Sequence, residues 1–351
     1  MPPPYKVLIV DDSALMRQIL TQILSSDPDI EVIGVASDPY VAREKIKALH
    51  PDVLTLDVEM PRMDGLTFLE KLMRGHPMPV VMISTLTEKG ADVTLRALSL
   101  GAIDYVAKPK LDVSAGTLQQ SEEIITRVKA AARARVRIRQ TPAPLPVSLT
   151  AKSTPQFTAT HKVVAIGAST GGTEALREVL TVLPADFPGI VIVQHMPEAY
   201  TQQFAARLNS LCRIRVKEAE DRDRILPGHA LIAPGGHHMA VIRKGMEYGV
   251  HVYRGERVNR HLPSVDVLFS SCARELGRNV LGVMLTGMGG DGARGMLEMK
   301  QSGAFNMAQD EATSVVFGMP NEAIKLGGVD EVLPLERIPL ALLQRLSSDK
   351  E

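Results

Sequence analysis

Short apolar runs in this chain repeatedly end on residue types that can do chemistry. Val7–Val10 runs into Asp11 and Asp12, Val53–Leu56 into Asp57, Val80–Ile83 into Ser84, and Ile103–Val106 leads to Lys108 and Pro109. In an open parallel sheet, ligands sit beyond the carboxyl ends of the strands, so these residues are placed to meet in one crevice. Carboxylates gathered there repel one another, and a hard divalent cation with oxygen ligands, Mg²⁺ above all, relieves the repulsion. The same cation screens an incoming phosphoryl group. Asp57 can then act as nucleophile toward phosphorus, with the Lys108 ammonium beside it and Ser84 as hydrogen-bond donor. Any one such aspartate, taken alone, is more often a helix cap or a solvated turn; the joint placement reverses that and selects phosphoryl chemistry.

Farther along, Val163–Ile166 runs into Gly167-Ala168-Ser169-Thr170-Gly171-Gly172, Ile190–Val193 into Gln194-His195, and Val280–Leu285 into Thr286-Gly287-Met288-Gly289-Gly290-Asp291-Gly292. A hydroxyl, an imidazole and a carboxylate emerge together, the set needed for nucleophilic acyl transfer. His195 would take the proton of Ser169 while Asp291 fixes the imidazole tautomer and stabilises the imidazolium. Residues 167–171 match the G-x-S-x-G elbow, whose small neighbours allow a sharp strand-to-helix turn. Alone the pentapeptide is weak, because the same glycines could bring backbone amides to a nucleotide phosphate. The order Ser, His, Asp differs from that of the α/β-hydrolases, and no histidine follows Asp291. Backbone amides around Met288 and at Thr170 are the expected donors to a tetrahedral oxyanion, each worth about 2.7 to 4 kcal/mol. His237 and His238, in APGGHHM, read as structural.

The elements that must position these residues follow from the same runs. In the N-terminal half five apolar runs, the four above and Glu31–Val35, alternate with helical stretches, which predicts a five-stranded parallel sheet buried on both faces. An amphipathic stretch from Thr117 to Ile138 supplies its last helix. Between Gln140 and Thr160 four prolines stand among small polar residues, the composition of a linker. Apolar runs then resume at Val163–Ile166, Ile190–Val193, Ala230–Ala233 and Val280–Leu285, predicting a second, doubly wound and mainly parallel α/β domain. A length of 351 residues exceeds what one core usually supports, so two domains are expected in any case. The boundaries read as 1–124, a helix end and linker over 125–158, and 159–349.

Composition narrows the function classes. The net charge is zero, so the chain lacks the basic excess of a general nucleic-acid binder. The cluster Arg127, Lys129, Arg133, Arg135, Arg137 and Arg139 reads as a solvated or packing face, with docking to an acidic partner as the alternative. No apolar run can cross a bilayer, and the start MPPPYKVLIVDDS is unlike a secretory signal. A cytoplasmic protein is expected, with Cys212 and Cys272 as buried free thiols. The sixteen methionines read as core or interface filler.

Asp11-Asp12-Ser13, DVEMPRMDG around Asp57, Ser84 and Lys108-Pro109 resemble the response-regulator receiver family over about residues 5 to 124, whose sheet is flavodoxin-like. That resemblance implies phosphorylation of Asp57 by a histidine kinase, Mg²⁺ held by Asp11, Asp12 and Asp57, and Ser84 with Tyr105 as switch residues. GASTGG, VQHMP, IAPGGHHM and LTGMGGDG, in that order behind a receiver, resemble the chemotaxis response-regulator methylesterases over almost the entire chain. This second resemblance implies hydrolysis of glutamyl methyl esters on chemoreceptors and deamidation of certain glutamines. It puts the triad on Ser169, His195 and Asp291, the oxyanion-hole amide on Met288, and requires no cofactor for the ester chemistry. The fusion then predicts that the unphosphorylated receiver inhibits the esterase. A phosphorylation-controlled DNA-binding output explains the receiver equally well, but fits poorly with α/β alternation after the linker. A nucleotide-dependent oxidoreductase lacks the acidic residue expected at the end of the next strand, where Gln194-His195 stands.

Overall fold

The computed structural model describes residues 3–84, 88–109, 116–134, 162–245 and 247–348, and the chain divides into two compact units between Ala143 and Pro144. The first unit holds strands β1 (Tyr5–Val10), β2 (Ile30–Ala36), β3 (Val53–Asp57), β4 (Val80–Ser84) and β5 (Asp104–Ala107), in the spatial order β2-β1-β3-β4-β5. All neighbours are parallel. Strands β3 and β4 are buried along their whole length, as continuous apolar runs require when helices cover both faces of a sheet. The chain order reverses between β1 and β3, so their carboxyl ends open the crevice where an open α/β sheet binds its ligand.

The last helix of this unit spans Gly116–Arg133. Its basic residues up to 133 work inside the unit. Arg127 pairs with Asp104 at 2.6 Å, Lys129 with Asp29 at 2.6 Å, and Arg133 donates to the Tyr5 hydroxyl at 2.7 Å. That favours the packing reading for these three residues; Arg135, Arg137, Arg139 and the proline-rich linker lie outside the described residues.

The second unit holds β6 (Val163–Ala168), β7 (Gly189–Gln194), β8 (Arg215–Glu218), β9 (His229–Ile232), β10 (His238–Lys244), β11 (Glu247–Tyr253), β12 (Val280–Met284), β13 (Phe305–Gln309) and β14 (Glu331–Leu333). Seven of these form one parallel sheet, ordered β14-β13-β12-β6-β7-β9-β8, while β10 and β11 make a separate antiparallel pair. From β6 the chain steps to β7, passes to β8 at the edge, fills the gap between them with β9, and returns to β12 on the other flank of β6. The switch point therefore lies between β6 and β12.

Helix Val265–Leu276 follows the antiparallel pair and buries Val265, Leu268, Phe269, Cys272 and Leu276, an i, i+3, i+4, i+7, i+11 stripe facing the sheet. Its first turn approaches closely because glycines face it. A Cβ on Gly167 or on Gly292 would stand 2.4 Å from Val265 Cγ1. Cys272 is buried as expected, whereas Cys212, at the end of helix Glu198–Leu211, is only half-buried. Both thiols are free, and burial pushes the Cys212 thiol up to about 11. No helix among the described residues is long and apolar enough to cross a membrane.

Candidate functional site

At the switch point of the first unit, Asp11 lies one residue beyond β1 and Asp57 ends β3. Carboxylate oxygens of Asp11, Asp12 and Asp57 lie within 4.8 Å of one another. Asp11 and Asp57 are buried and Asp12 is exposed. Lys108 reaches in from the end of β5, with Nζ 2.7 Å from Asp57 Oδ2 and 3.3 Å from Asp11 Oδ2. Burial pushes the Asp57 carboxyl up to about 6, against the lowering effect of its hydrogen bond from Lys108, and it raises Asp11 as well. For Lys108 burial opposes the ammonium, yet the two carboxylates outweigh it and its pKa is raised.

Ionised, this group carries three negative charges against one positive. Asp11 Oδ2 is buried and, among the described residues, has only the Lys108 ammonium beside it. An all-oxygen set with residual negative charge suits a hard divalent ion. Ser84 is buried at the end of β4, and Tyr105 is buried near the start of the neighbouring strand β5. The loop after β3 folds back tightly, since a Cβ on Gly65 would lie 2.0 Å from the Asp57 carbonyl oxygen. We expect Gly65→Ala to destabilise this unit by about 1 to 3 kcal/mol through overpacking, read as a lower urea midpoint.

In the second unit Ser169 follows β6 directly and is half-buried. Its amide donates to Thr286 O at 3.0 Å, and its carbonyl accepts from Gly172 N at 2.7 Å and Gln194 Nε2 at 2.9 Å. The turn into helix Gly172–Leu180 passes through Gly171 at φ 77°, a left-handed conformation costly for other residues. A Cβ on Gly172 would stand 2.2 Å from Gln194 Oε1, so the elbow needs both glycines. His195 is the next residue after β7, and its amide donates to Ala168 O at 3.1 Å, which places it beside Ser169 at the sheet edge.

Asp291 arrives from the loop after β12 and is buried. Its Oδ2 lies 2.8 Å from His195 Nε2. The other His195 nitrogen, Nδ1, is buried with no hydrogen-bond partner among the described residues. With Nε2–H donated to Asp291, Nδ1 holds the lone pair that can accept a proton. Asp291 also accepts from Asn259 Nδ2 at 2.7 Å, Ser264 Oγ at 2.7 Å and Val265 N at 2.6 Å. Burial opposes its charge, but His195, Asn259 and Ser264 outweigh that and hold the carboxyl well below the usual carboxylate range. The positive end of helix Val265–Leu276 adds to the same effect.

Residues 258–266 are the part of the site that sequence reasoning missed. Asn259 and Arg260, at φ 51° and 69°, form a two-residue turn between Val258 and His261, which pair as an antiparallel bridge. Two consecutive left-handed non-glycine residues are strained, and such strain concentrates at functional sites. The turn brings the Asn259 amide onto both Asp291 and Asp266, and stacks the His261 ring on His195 at 3.7 Å between centroids and 7° between planes. The only available signal was a polar cluster, Asn259, Arg260 and His261, ahead of an amphipathic helix. Of the earlier pair, His238 is buried and supports this segment, accepting from Ser264 N at 3.2 Å; His237 is half-buried against Gly235 and Arg254.

Met288 is half-buried in the loop between β12 and Asp291. Gly287 before it has its amide bonded to Val316 O and its carbonyl to the amides of Gly318 and Met319. The Met288 amide donates to nothing among the described residues. Ser169 Cβ lies 2.8 Å from where a Cβ on Gly287 would stand, so this loop passes the Ser169 side chain at van der Waals distance. Thr170 is buried, and its carbonyl accepts from Thr286 Oγ1 at 3.0 Å, tying the elbow to that loop.

The arrangement defines a receiver unit joined to an α/β unit with the layout of a serine hydrolase. Two family models agree with that division: the response regulator receiver domain matches residues 7–115, and the CheB methylesterase domain matches residues 164–342. The chain belongs to the CheB methylesterase family. It is 59% identical, over 98% of its own length and 97% of the relative's, to a protein-glutamate methylesterase/protein-glutamine glutaminase of Geobacter metallireducens. A protein of the same name from Salmonella typhimurium is 57% identical, again over 98% of this chain and 97% of the relative. Among solved structures, the catalytic domain of Thermotoga maritima CheB methylesterase matches with 39% identity and a TM-score of 0.51, covering 52% of this chain and 98% of that one.

Proposed function

We propose that this chain is a phosphorylation-activated protein-glutamate methylesterase and protein-glutamine glutaminase acting in chemotaxis adaptation. The observation that carries the reading is the buried His195–Asp291 pair at the switch point, with His195 Nδ1, which has no hydrogen-bond partner among the described residues, beside the Ser169 elbow. Ser169 Oγ attacks the ester carbonyl carbon as His195 Nδ1 takes its proton. Asp291 keeps the ring in that tautomer and stabilises the imidazolium. The oxyanion meets the Met288 amide, with Thr170 and Thr286 fixing the loop that carries it. Collapse of the tetrahedral intermediate expels methanol, protonated by His195, or ammonia when the substrate is a glutamine. Water then releases the acyl group by the same relay run with water as nucleophile.

In the receiver, Asp57 is the phosphoryl acceptor. Asp11, Asp12 and Asp57 would hold Mg²⁺, which screens the incoming phosphoryl group, while Lys108 contributes the fixed positive charge. Ser84 and Tyr105 are the switch residues, and the unphosphorylated receiver inhibits the esterase. A histidine kinase supplies the phosphoryl group and chemoreceptors supply the esters, which places the enzyme in the cytoplasm. A hundredfold activation requires a shift of only about 2.7 kcal/mol between inhibited and active states.

The test is release of labelled methanol from methylated chemoreceptor membranes, with and without a small-molecule phosphodonor and Mg²⁺. Release should occur and should accelerate with phosphodonor. Asp57→Asn should abolish the acceleration while keeping the basal rate. No methanol above a no-enzyme control would overturn the reading.

A further inference from the structure

Among the described residues the His195 ring is anchored through a single nitrogen. Asp291 Oδ2 holds Nε2 at 2.8 Å, while Nδ1 has no hydrogen-bond partner among those residues. A ring tethered at one atom still swings about that bond, and a swing of Nδ1 away from Ser169 costs the proton transfer its geometry. The His261 ring closes off that motion. It lies flat on the imidazole of His195, with centroids 3.7 Å apart and planes 7° from parallel. Both Asp291 oxygens are already held, Oδ2 by His195 and Val265 N and Oδ1 by Asn259 and Ser264, so His261 acts on the ring and not on the carboxylate.

The backbone fixes where this second ring stands. His261 N donates to Val258 O at 2.9 Å and Val258 N to His261 O at 3.1 Å, across the left-handed pair Asn259-Arg260. The Asn259 amide then ties the turn to Asp291 at 2.7 Å and to Asp266 at 2.6 Å. One short turn therefore grips the carboxylate and covers a face of the base.

We propose that His261 is a positioning residue for the esterase reaction, holding the His195 ring in its proton-accepting orientation by face-to-face stacking. The inference rests on the reading of His195 as the base. As Ser169 gives up its proton, positive charge spreads through the His195 ring, and an aromatic face flat against it stabilises that charge. The contribution grows toward the transition state, so it belongs to kcat and not to KM. Stacking requires an aromatic face at this position but not the nitrogens of His261.

The test uses the full chain and three variants. His261→Phe keeps the face, His261→Gln keeps a polar group without a ring, and His261→Ala removes both. Two rates are read: hydrolysis of a glutamyl methyl ester, and labelling of Ser169 by a fluorophosphonate, which needs the relay but no particular substrate. His261→Ala and His261→Gln should lower kcat and the labelling rate by roughly 10- to 100-fold, with KM within about twofold of the wild type. His261→Phe should recover both rates to within about threefold. In a His195→Ala background, His261→Ala should slow labelling no further, because the ring it orients is gone. Recovery by glutamine and not by phenylalanine, a loss carried by KM, equal labelling in all four proteins, or a full further loss in the His195→Ala background would overturn the proposal. Labelling rates in the expected order, with no methanol released by any sample, would support the positioning role and count against the functional reading alone.

Discussion

Ser169→Ala should lower hydrolysis of a glutamyl methyl ester by roughly 10⁴- to 10⁶-fold while the protein stays folded. The elbow does not depend on the hydroxyl. The Ser169 amide is held by Thr286 O, and its carbonyl by Gly172 N and the Gln194 side chain, all independent of Oγ. What disappears is the nucleophile itself, and the residual rate reflects oxyanion binding alone. Steady-state hydrolysis and a urea midpoint on the same preparation check both halves. An activity loss below about tenfold would move the nucleophile elsewhere.

Asp291→Asn should reduce kcat by about 10⁴-fold and also lower stability by about 2 to 4 kcal/mol. Oδ2 of Asp291 accepts from His195 Nε2 and Val265 N, and Oδ1 from Asn259 Nδ2 and Ser264 Oγ. An asparagine amide in either orientation points donors at donors. If its NH₂ faces His195, the ring turns its lone pair to Nε2 and puts its hydrogen on Nδ1, so the base is lost. The sign of the pH dependence follows from the depressed Asp291 pKa. A carboxyl whose folded pKa lies below the unfolded value of about 3.9 contributes stability above that pH and loses it as pH falls. The wild type should therefore lose stability on acidification below about pH 4 more steeply than Asp291→Asn. Equal acid limbs in urea titrations of the two proteins would contradict the charge-hub reading.

Much of this site was legible because parallel sheets place ligands beyond strand ends. Asp11, Asp57, Lys108, Ser169, His195 and Asp291 all follow or end apolar runs, and the topology gathers them at two switch points. Strands that carry polar residues inward were not legible. Phe305–Gln309 buries Asn306 and Gln309 completely, and each bonds backbone groups there: Asn306 Nδ2 donates to Met296 O and Gly328 O, and Gln309 Oε1 accepts from Thr286 N. An apolar pattern cannot announce such a strand. Arg215–Glu218 and Glu331–Leu333 are short edge strands with charged residues, which hide them for a related reason. The segment 258–266 escaped because its part is set by a strained turn and a helix terminus. Asn259 reaches Asp291 only through its left-handed backbone, a conformation with no periodic signature.

The most direct measurement is labelling of the intact protein with a serine-directed fluorophosphonate, with the adduct mapped by mass spectrometry. A single adduct on Ser169 is expected, forming at least 100-fold more slowly in His195→Ala, where the proton acceptor is gone. An adduct on another residue, or equal labelling rates in the two proteins, would contradict a relay built from these three side chains.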